Sequence, residues 1–215
     1  MKELKNNKSG FTILELLIAT TVFSVVLLIV STGIIKFGNL YYKGLTTSKT
    51  QNIARNISNE IGSTLQFANG EKTAETSFGT GGKQFCIGNT KYTYYANLKY
   101  DEKSGNKTSS GLVSEELDST QNCGSPVIPA NQKQMLANNM RILKLDIDTI
   151  AGSDRKLWKV NLRLAYGDND LLDNYNSDGT ENAAKTPVAN CRSGISGSSF
   201  CAVAQLDTTV KKRLN

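Results

Sequence analysis

Residues 8–35 read KSGFTILELLIATTVFSVVLLIVSTGII, and this stretch decides the architecture of the chain. Its residues 16–35 are 20 consecutive positions without a charge. As a helix rising about 1.5 Å per residue, such a run spans about 30 Å, the thickness of a bilayer's hydrocarbon core. Lys36 closes it, and Lys2, Lys5 and Lys8 precede it against the single Glu3. Positive residues ahead of an apolar span tend to stay in the cytoplasm, so the rest of the chain is expected on the other side of the membrane.

An ordinary secretory signal is the first alternative. Its apolar region is about 7–15 residues long, and here Ser31 and Gly33 offer only a mediocre cleavage site. Glu15 is more telling. A carboxylate at the head of an apolar run opposes insertion, by roughly 2.5–3.5 kcal/mol at a helix centre and less near an interface, and it calls for a cationic partner. Cutting the chain between Gly10 and Phe11 creates one. The new α-amino group of Phe11 then lies one helical turn from Glu15, within reach of its own chain's carboxylate or a neighbour's.

The series Lys8-Ser9-Gly10-Phe11-Thr12-Ile13-Leu14-Glu15, followed by a long apolar helix, resembles the type IV prepilin leader. The resemblance covers about 35 residues. It implies that Gly10 precedes the bond cut by a membrane aspartyl prepilin peptidase. Phe11 becomes the new N-terminus and is N-methylated, and Glu15 serves subunit registration and assembly. It implies four segments: a cleaved cytoplasmic leader (1–10), a transmembrane and filament-core helix (11–36), its amphipathic continuation (37–69) and an extracytoplasmic β-rich head (70–215). The implied partners are other pilins, the prepilin peptidase, an inner-membrane assembly platform and the membrane itself. The subunit is expected first as a single-pass cytoplasmic-membrane protein and then in a cell-surface pilus. Many major pilins carry a helix-kinking proline in the apolar segment, whereas no proline precedes Pro126 here, which points to a minor pilin or pseudopilin. A type II secretion pseudopilin or a competence pilin is the alternative within that superfamily. From another class, a monomeric membrane-anchored adhesin needs no filament.

Beyond the apolar run, Leu45, Ile53, Ile57, Ile61 and Leu65 recur at mainly fourfold spacing, the stripe of an amphipathic helix, with a stop at Asn69-Gly70. One helix is therefore expected from about residue 11 to residue 68. Past Gly70 the period changes to two. Strands are expected at residues 91–98, 141–148, 157–166 and 200–206, with a short helix at 132–140. The two middle strands form a hairpin turning at residues 151–154. Ile142, Leu145 and Ile147 are buried around one irregularity, and Trp158, Val160, Leu162 and Leu164 lie opposite Lys159, Asn161 and Arg163. The fold class is α+β: a long N-terminal helix on an antiparallel, pilin-like head. Residues 101–110 and 168–199 read as extended loops.

The chain has no histidine, which removes histidine-based triads, HExxH zinc sites and imidazole haem ligation. Its four cysteines, Cys86, Cys123, Cys191 and Cys201, fall on the expected extracytoplasmic side, where disulfides persist. An all-cysteine zinc site is the competing reading, though no CxxC knuckle occurs. Three connectivities are open, of which the shortest loop pairs Cys191 with Cys201 and leaves Cys86 with Cys123. The resemblance lends support to that pairing, because the family often carries a C-terminal disulfide loop.

Within the acidic stretch 168–181, Asn174, Asn176 and Asp178 occupy the first, third and fifth places of an EF-hand-like loop. The first ligand is Asn and the twelfth position is Lys185, so a solvated acidic loop is the favoured reading over calcium. Net charge is +6, with Arg155, Lys156, Lys159 and Arg163 clustered and Lys211-Lys212-Arg213 near the end. Such patches attract phosphate non-specifically, which makes DNA a weakly supported partner. Asp146 and Asp148 lack an acid–base counterpart, and residues 79–83 lack P-loop spacing. No enzyme activity and no cofactor are expected.

Overall fold

The computed structural model describes residues 10–78, 82–100, 103–104, 107–108, 111–118, 122–124, 132–152, 157–175, 180–182 and 184–213. Helix α1 runs from Ile13 to Phe67. The chain divides into two units, Met1–Tyr41 and Tyr42–Asn215, and α1 contributes to both. In the first unit α1 is apolar on every face, and its most apolar window buries nothing within the chain. Side chains such as Leu16, Phe23 and Ile29 stand more than half exposed.

In the second unit α1 buries a seam of Thr46, Thr50, Ala54, Ile57, Ser58, Ile61, Gly62 and Leu65. The expected stripe holds for Ile57, Ile61 and Leu65, while Ile53 is half-buried and Leu45 is half exposed. At that height the buried positions are Thr46 and Thr50, whose hydroxyls donate back to the carbonyls of Tyr42 (2.7 Å) and Thr46 (2.8 Å). Small and self-satisfied side chains let the backbone of the head approach closely. A Cβ on Gly62 would sit 3.4 Å from Val210 Cγ2, and Ser58 Oγ lies 3.1 Å from Thr208 Oγ1.

Two antiparallel sheets close around this seam. One is ordered β1 (Thr76–Phe78), β2 (Gly82–Ile87), β3 (Thr90–Tyr95), β6 (Leu112–Glu116) and β7 (Gln132–Gln134), with β4 (Lys103–Ser104) and β5 (Lys107–Thr108) forming a separate small pair. The other is ordered β10 (Ala202–Lys211), β9 (Leu157–Tyr166) and β8 (Met140–Thr149). They meet where Ala96 bridges Ile142 in parallel and the Asn97 amide donates to the Ile142 carbonyl at 2.7 Å. Phe85, Tyr92, Tyr94 and Leu112 from the first sheet, and Ile142, Leu145, Val160, Leu162 and Leu164 from the second, share one core with Ile57, Ile61 and Leu65. The architecture is α+β, a long N-terminal helix on antiparallel sheets, in keeping with a pilin-like fold.

The β8–β9 hairpin contains the irregularity read from its alternation, a register shift between Ile142 and Lys144. Leu143 is the extra residue. It leaves the main core and joins Ala165, Leu171, Leu172, Tyr175, Ala189 and Cys201 in a second cluster. Residues 132–140 do not form the expected helix: β7 takes Gln132–Gln134, and a turn leads through Asn139 (φ 65°) into β8. The apolar residues there, Met135 and Leu136, pack on the core from an extended segment that helical periodicity imitates over so few residues. The last strand begins at Ala202, because Ser198–Phe200 forms a 3₁₀ turn, and it continues to Lys211.

Two devices close the end of α1. Its last turn holds no basic residue, and the chain end supplies the missing groups: the Arg213 amide donates to the Gln66 carbonyl at 3.1 Å and Lys212 Nζ to the Gly70 carbonyl at 2.6 Å. The β2–β3 turn abuts the same end through Gly88 (φ +57°), where a Cβ would lie 2.8 Å from Ala68 Cβ. Only glycine fits there.

Candidate functional site

The N-terminal site is built on the first turn of α1. Thr12 caps the helix: the Glu15 amide donates to Thr12 Oγ1 at 3.2 Å. In return the Thr12 amide and hydroxyl each lie 3.4 Å from Glu15 Oε2. This reciprocal arrangement is a capping box, satisfying helix-end donors that have no intrahelical acceptor. Glu15 also sits where the helix dipole favours negative charge. Thr12 had a legible signal, the T-x-x-E spacing ahead of an apolar run, although attention to a Phe11–Glu15 pair passes over it.

Phe11 is exposed, and Gly10 is the first described residue. A Cβ on Gly10 would meet nothing within 4 Å. Packing within this chain therefore gives no reason for glycine at position 10.

In the head, the described part of the 168–199 loop keeps Asp168, Asp170 and Glu181 at the surface, as expected of a solvated acidic segment, while its apolar residues turn inward. Leu171, Leu172, Tyr175 and Ala189 are buried on the outer side of β8, β9 and β10. Two of its carboxylates are engaged: Asp168, itself largely exposed, pairs with Lys99 at 2.8 Å, and Asp173 Oδ1 accepts from the Asn190 amide at 2.7 Å. Beneath the loop lies the fully buried Arg141. Its guanidinium donates to Asn169 Oδ1 (2.6 Å), the Gly167 carbonyl (2.7 Å) and the Tyr175 hydroxyl (2.9 Å). Arg163 reaches the loop from the polar face of β9, donating to the Ala189 carbonyl at 2.8 Å and Asn190 Oδ1 at 2.9 Å. The acids are exposed as the composition suggests, and the hydrogen-bonding capacity of two arginines, spent on carbonyls and Asn side chains, holds the loop down beneath them.

Asn174 is buried, and its amide donates to Asn97 Oδ1 at 3.1 Å, making it part of this network. Asn176 and Asp178, the other two calcium candidates, lie outside the described residues, as do Arg155 and Lys156. Among the described residues no group of three or more acidic or cysteine side chains is placed to hold a metal. Asp146 forms an ion pair with Lys144 at 2.8 Å, and Asp148 is exposed beyond it on β8. Of the P-loop-like stretch only Gly82 and Lys83 are described, and Lys83 pairs with Glu75 at 3.1 Å. Disulfides join Cys86 to Cys123 (Cα–Cα 5.9 Å) and Cys191 to Cys201 (5.7 Å).

A groove of about 570 Å³ runs beside α1, lined by Glu60, Tyr92, Ser114, Glu116, Asp118 and Lys133. Glu60 is held there, accepting from Ser114 Oγ at 3.1 Å and pairing with Lys133. Burial pushes the Tyr92 hydroxyl up to about 12, with the nearby Glu60 adding to the rise and a hydrogen bond to Thr64 opposing it. Burial likewise lowers the Lys91 ammonium, while Glu115 pulls it the other way.

Comparison with known families gives one match: the model of the prokaryotic N-terminal methylation motif fits residues 5–31. This is the type IV prepilin signal, and it covers the Gly10-Phe11 step, Glu15 and residues 16–31 of the apolar run. No curated protein and no solved structure matches the chain. The motif thus characterises the N-terminal segment and leaves the head to be read from its own residues. The signal and the apolar helix together fit a membrane-anchored protein.

Proposed function

We propose that the chain is a minor pilin-like subunit of a type IV filament, cut after Gly10 and assembled through its N-terminal helix. One observation carries this reading: the prepilin signal overlaps the start of a helix whose most apolar window is, among the described residues, wholly unburied. Such a surface is stable in lipid or among like helices, and moving from one to the other exchanges similar apolar surroundings. Charge matching supplies register. Glu15 is held by Thr12 in the subunit, and a Phe11 amine offers it the cationic partner that an acid in a low-dielectric helix bundle requires.

Residues 1–10 then form the leader, 11–36 the membrane and filament-core segment, 37–69 the helical continuation and 70–215 the extracytoplasmic head. The subunit moves from the cytoplasmic membrane into the filament, with the prepilin peptidase, the assembly platform and other pilins as partners. The absence of any proline before Pro126 favours a minor pilin or pseudopilin over a major one. DNA has weaker support, since Arg163 is engaged with the loop, Lys212 with Gly70 and Arg213 with the Phe67 ring.

Processing and assembly are separable by substitution. Gly10→Val should leave an unshifted precursor band on a gel. Glu15→Ala should be cleaved normally yet be missing from sheared filament fractions. Normal incorporation of Glu15→Ala removes the charge-matching mechanism, and normal cleavage of Gly10→Val removes the assignment of the cut.

A further inference from the structure

The C-terminal disulfide loop carries an aromatic side chain that the core does not use. Phe200 is 49% exposed, although its neighbour Cys201 is fully buried. The loop end is fastened to α1 at three points. Lys43 Nζ donates to the Cys201 carbonyl at 2.6 Å and to the Ser198 carbonyl at 3.4 Å, and Thr46 Oγ1 donates to the Ser199 carbonyl at 3.4 Å. Gly197 (φ +84°) turns the chain into the 3₁₀ turn that ends at Phe200, and the Cys191–Cys201 bond closes the loop behind it. The result is a ring held 5.4 Å from that of Tyr42, itself half exposed. An exposed aromatic ordinarily swings freely, whereas this one is anchored from three sides.

Chain length limits where the pair can lie. Tyr42 is seven residues past Ile35, the last of the uncharged run, and both belong to α1. At about 1.5 Å per residue its Cα lies roughly 10 Å beyond that run, and side chains on a helix lean back toward its N-terminus. The Tyr42 ring, and with it Phe200, therefore falls close to the interfacial layer, about 5–8 Å thick on each side of the hydrocarbon core. Aromatic side chains concentrate in that layer because it accommodates an apolar body beside polar groups. Lys36 marks the end of the run, and the serines of the 193–199 loop are compatible with the same wet boundary.

We propose that the Cys191–Cys201 loop is a membrane-surface contact: before assembly it seats Phe200 with Tyr42 among the lipid headgroups, giving the head a second hold on the bilayer. This rests on reading residues 16–35 as membrane-spanning, so the test measures that separately. The full chain is reconstituted into phosphatidylcholine vesicles with or without bromine on the upper acyl carbons. Phe200→Trp and Tyr42→Trp are compared with Ile150→Trp in a chain whose native tryptophan, Trp158, is buried. Ile150 is a matched control at the far end of the β8–β9 hairpin, about 30 Å from the Ala202 end by strand rise.

Brominated lipid should lower the added emission of Phe200→Trp and Tyr42→Trp by at least about twofold more than that of Ile150→Trp. Alkaline carbonate should leave all variants in the membrane. Release by carbonate overturns the spanning assignment itself. Retention with equal quenching at positions 200 and 150 overturns the lipid contact alone. An added emission that is insensitive to bromine but depends on protein density in the vesicle gives the surface to a second copy instead, and equally overturns it. Should Phe200→Trp not fold, Ile195→Trp, 37% exposed in the same loop, gives the reading instead, because quenching at Tyr42 alone reports only the helix.

Discussion

The two stretches of α1 are made of the same backbone and differ in who covers them. Between residues 13 and 35 large side chains stand exposed around the full circumference, with Ile13 82% and Leu28 68% accessible. Between Thr46 and Leu65 a narrow seam is buried, five of its eight residues small or hydroxylic, against two sheets of the same chain. A helix that is apolar all round has its partner outside the molecule; a helix with a seam has its partner within it. The first stretch is thus an apolar surface that fits a membrane anchor, and the second is a wall of the head's own core.

This contrast can be broken experimentally. Ile61→Ala removes a fully buried side chain at the centre of the seam and should cost the head about 3–4 kcal/mol, read as a lower Tm of the full chain in detergent. Membrane retention should not change. Val26→Arg should do the reverse, opposing insertion by about 2.5–3.5 kcal/mol, read as carbonate-extractable chain whose head melts normally. Loss of head stability in Val26→Arg would show that the two stretches are coupled, contrary to the division drawn here.

A smaller effect sharpens the boundary. The Tyr92 hydroxyl bonds Thr64 on the second stretch at 2.9 Å, and burial raises its pKa to about 12. A raised folded-state pKa means that the unfolded chain loses its proton first. The associated stability is fully present below about pH 10 and declines as pH rises toward about 12. Tyr92 alone should therefore cost the head on the order of 3 kcal/mol between those pH values, and Tyr92→Phe should reduce the slope in melts recorded across the window. Tyr94 is also pushed up by burial and its bond to Glu75, so Tyr92→Phe with Tyr94→Phe is the complete form of the experiment.

Much of this was legible in residues alone. The apolar run, the Glu15 position and the alternation of β8 and β9 are local patterns with a fixed period, and each has one structural solution. The irregularity at Leu143 was legible too, because an extra residue shifts the alternation. Other features were hidden for identifiable reasons. The β2–β3 hairpin turns on Gly88-Asn89, a two-residue signal that is easily passed over between short strands. Residues 132–140 were too few to distinguish a helix from an extended edge. The exposed acids of the 168–199 segment were legible because they are close in sequence, whereas Arg141 and Arg163, which hold it down, are remote.

By itself the sequence determined that this chain has a membrane-length apolar helix behind a prepilin signal and an α+β head, since period, length and the order of charges are properties of consecutive residues. The tertiary structure alone decided which cysteines pair, which face of α1 carries Thr46, Thr50 and Ala54 instead of Leu45, and that Phe200 lies against Tyr42. Those outcomes depend on groups far apart in sequence meeting at hydrogen-bond or van der Waals distance, as Lys43 and Cys201 do at a separation of 158, and no local periodicity encodes such a meeting.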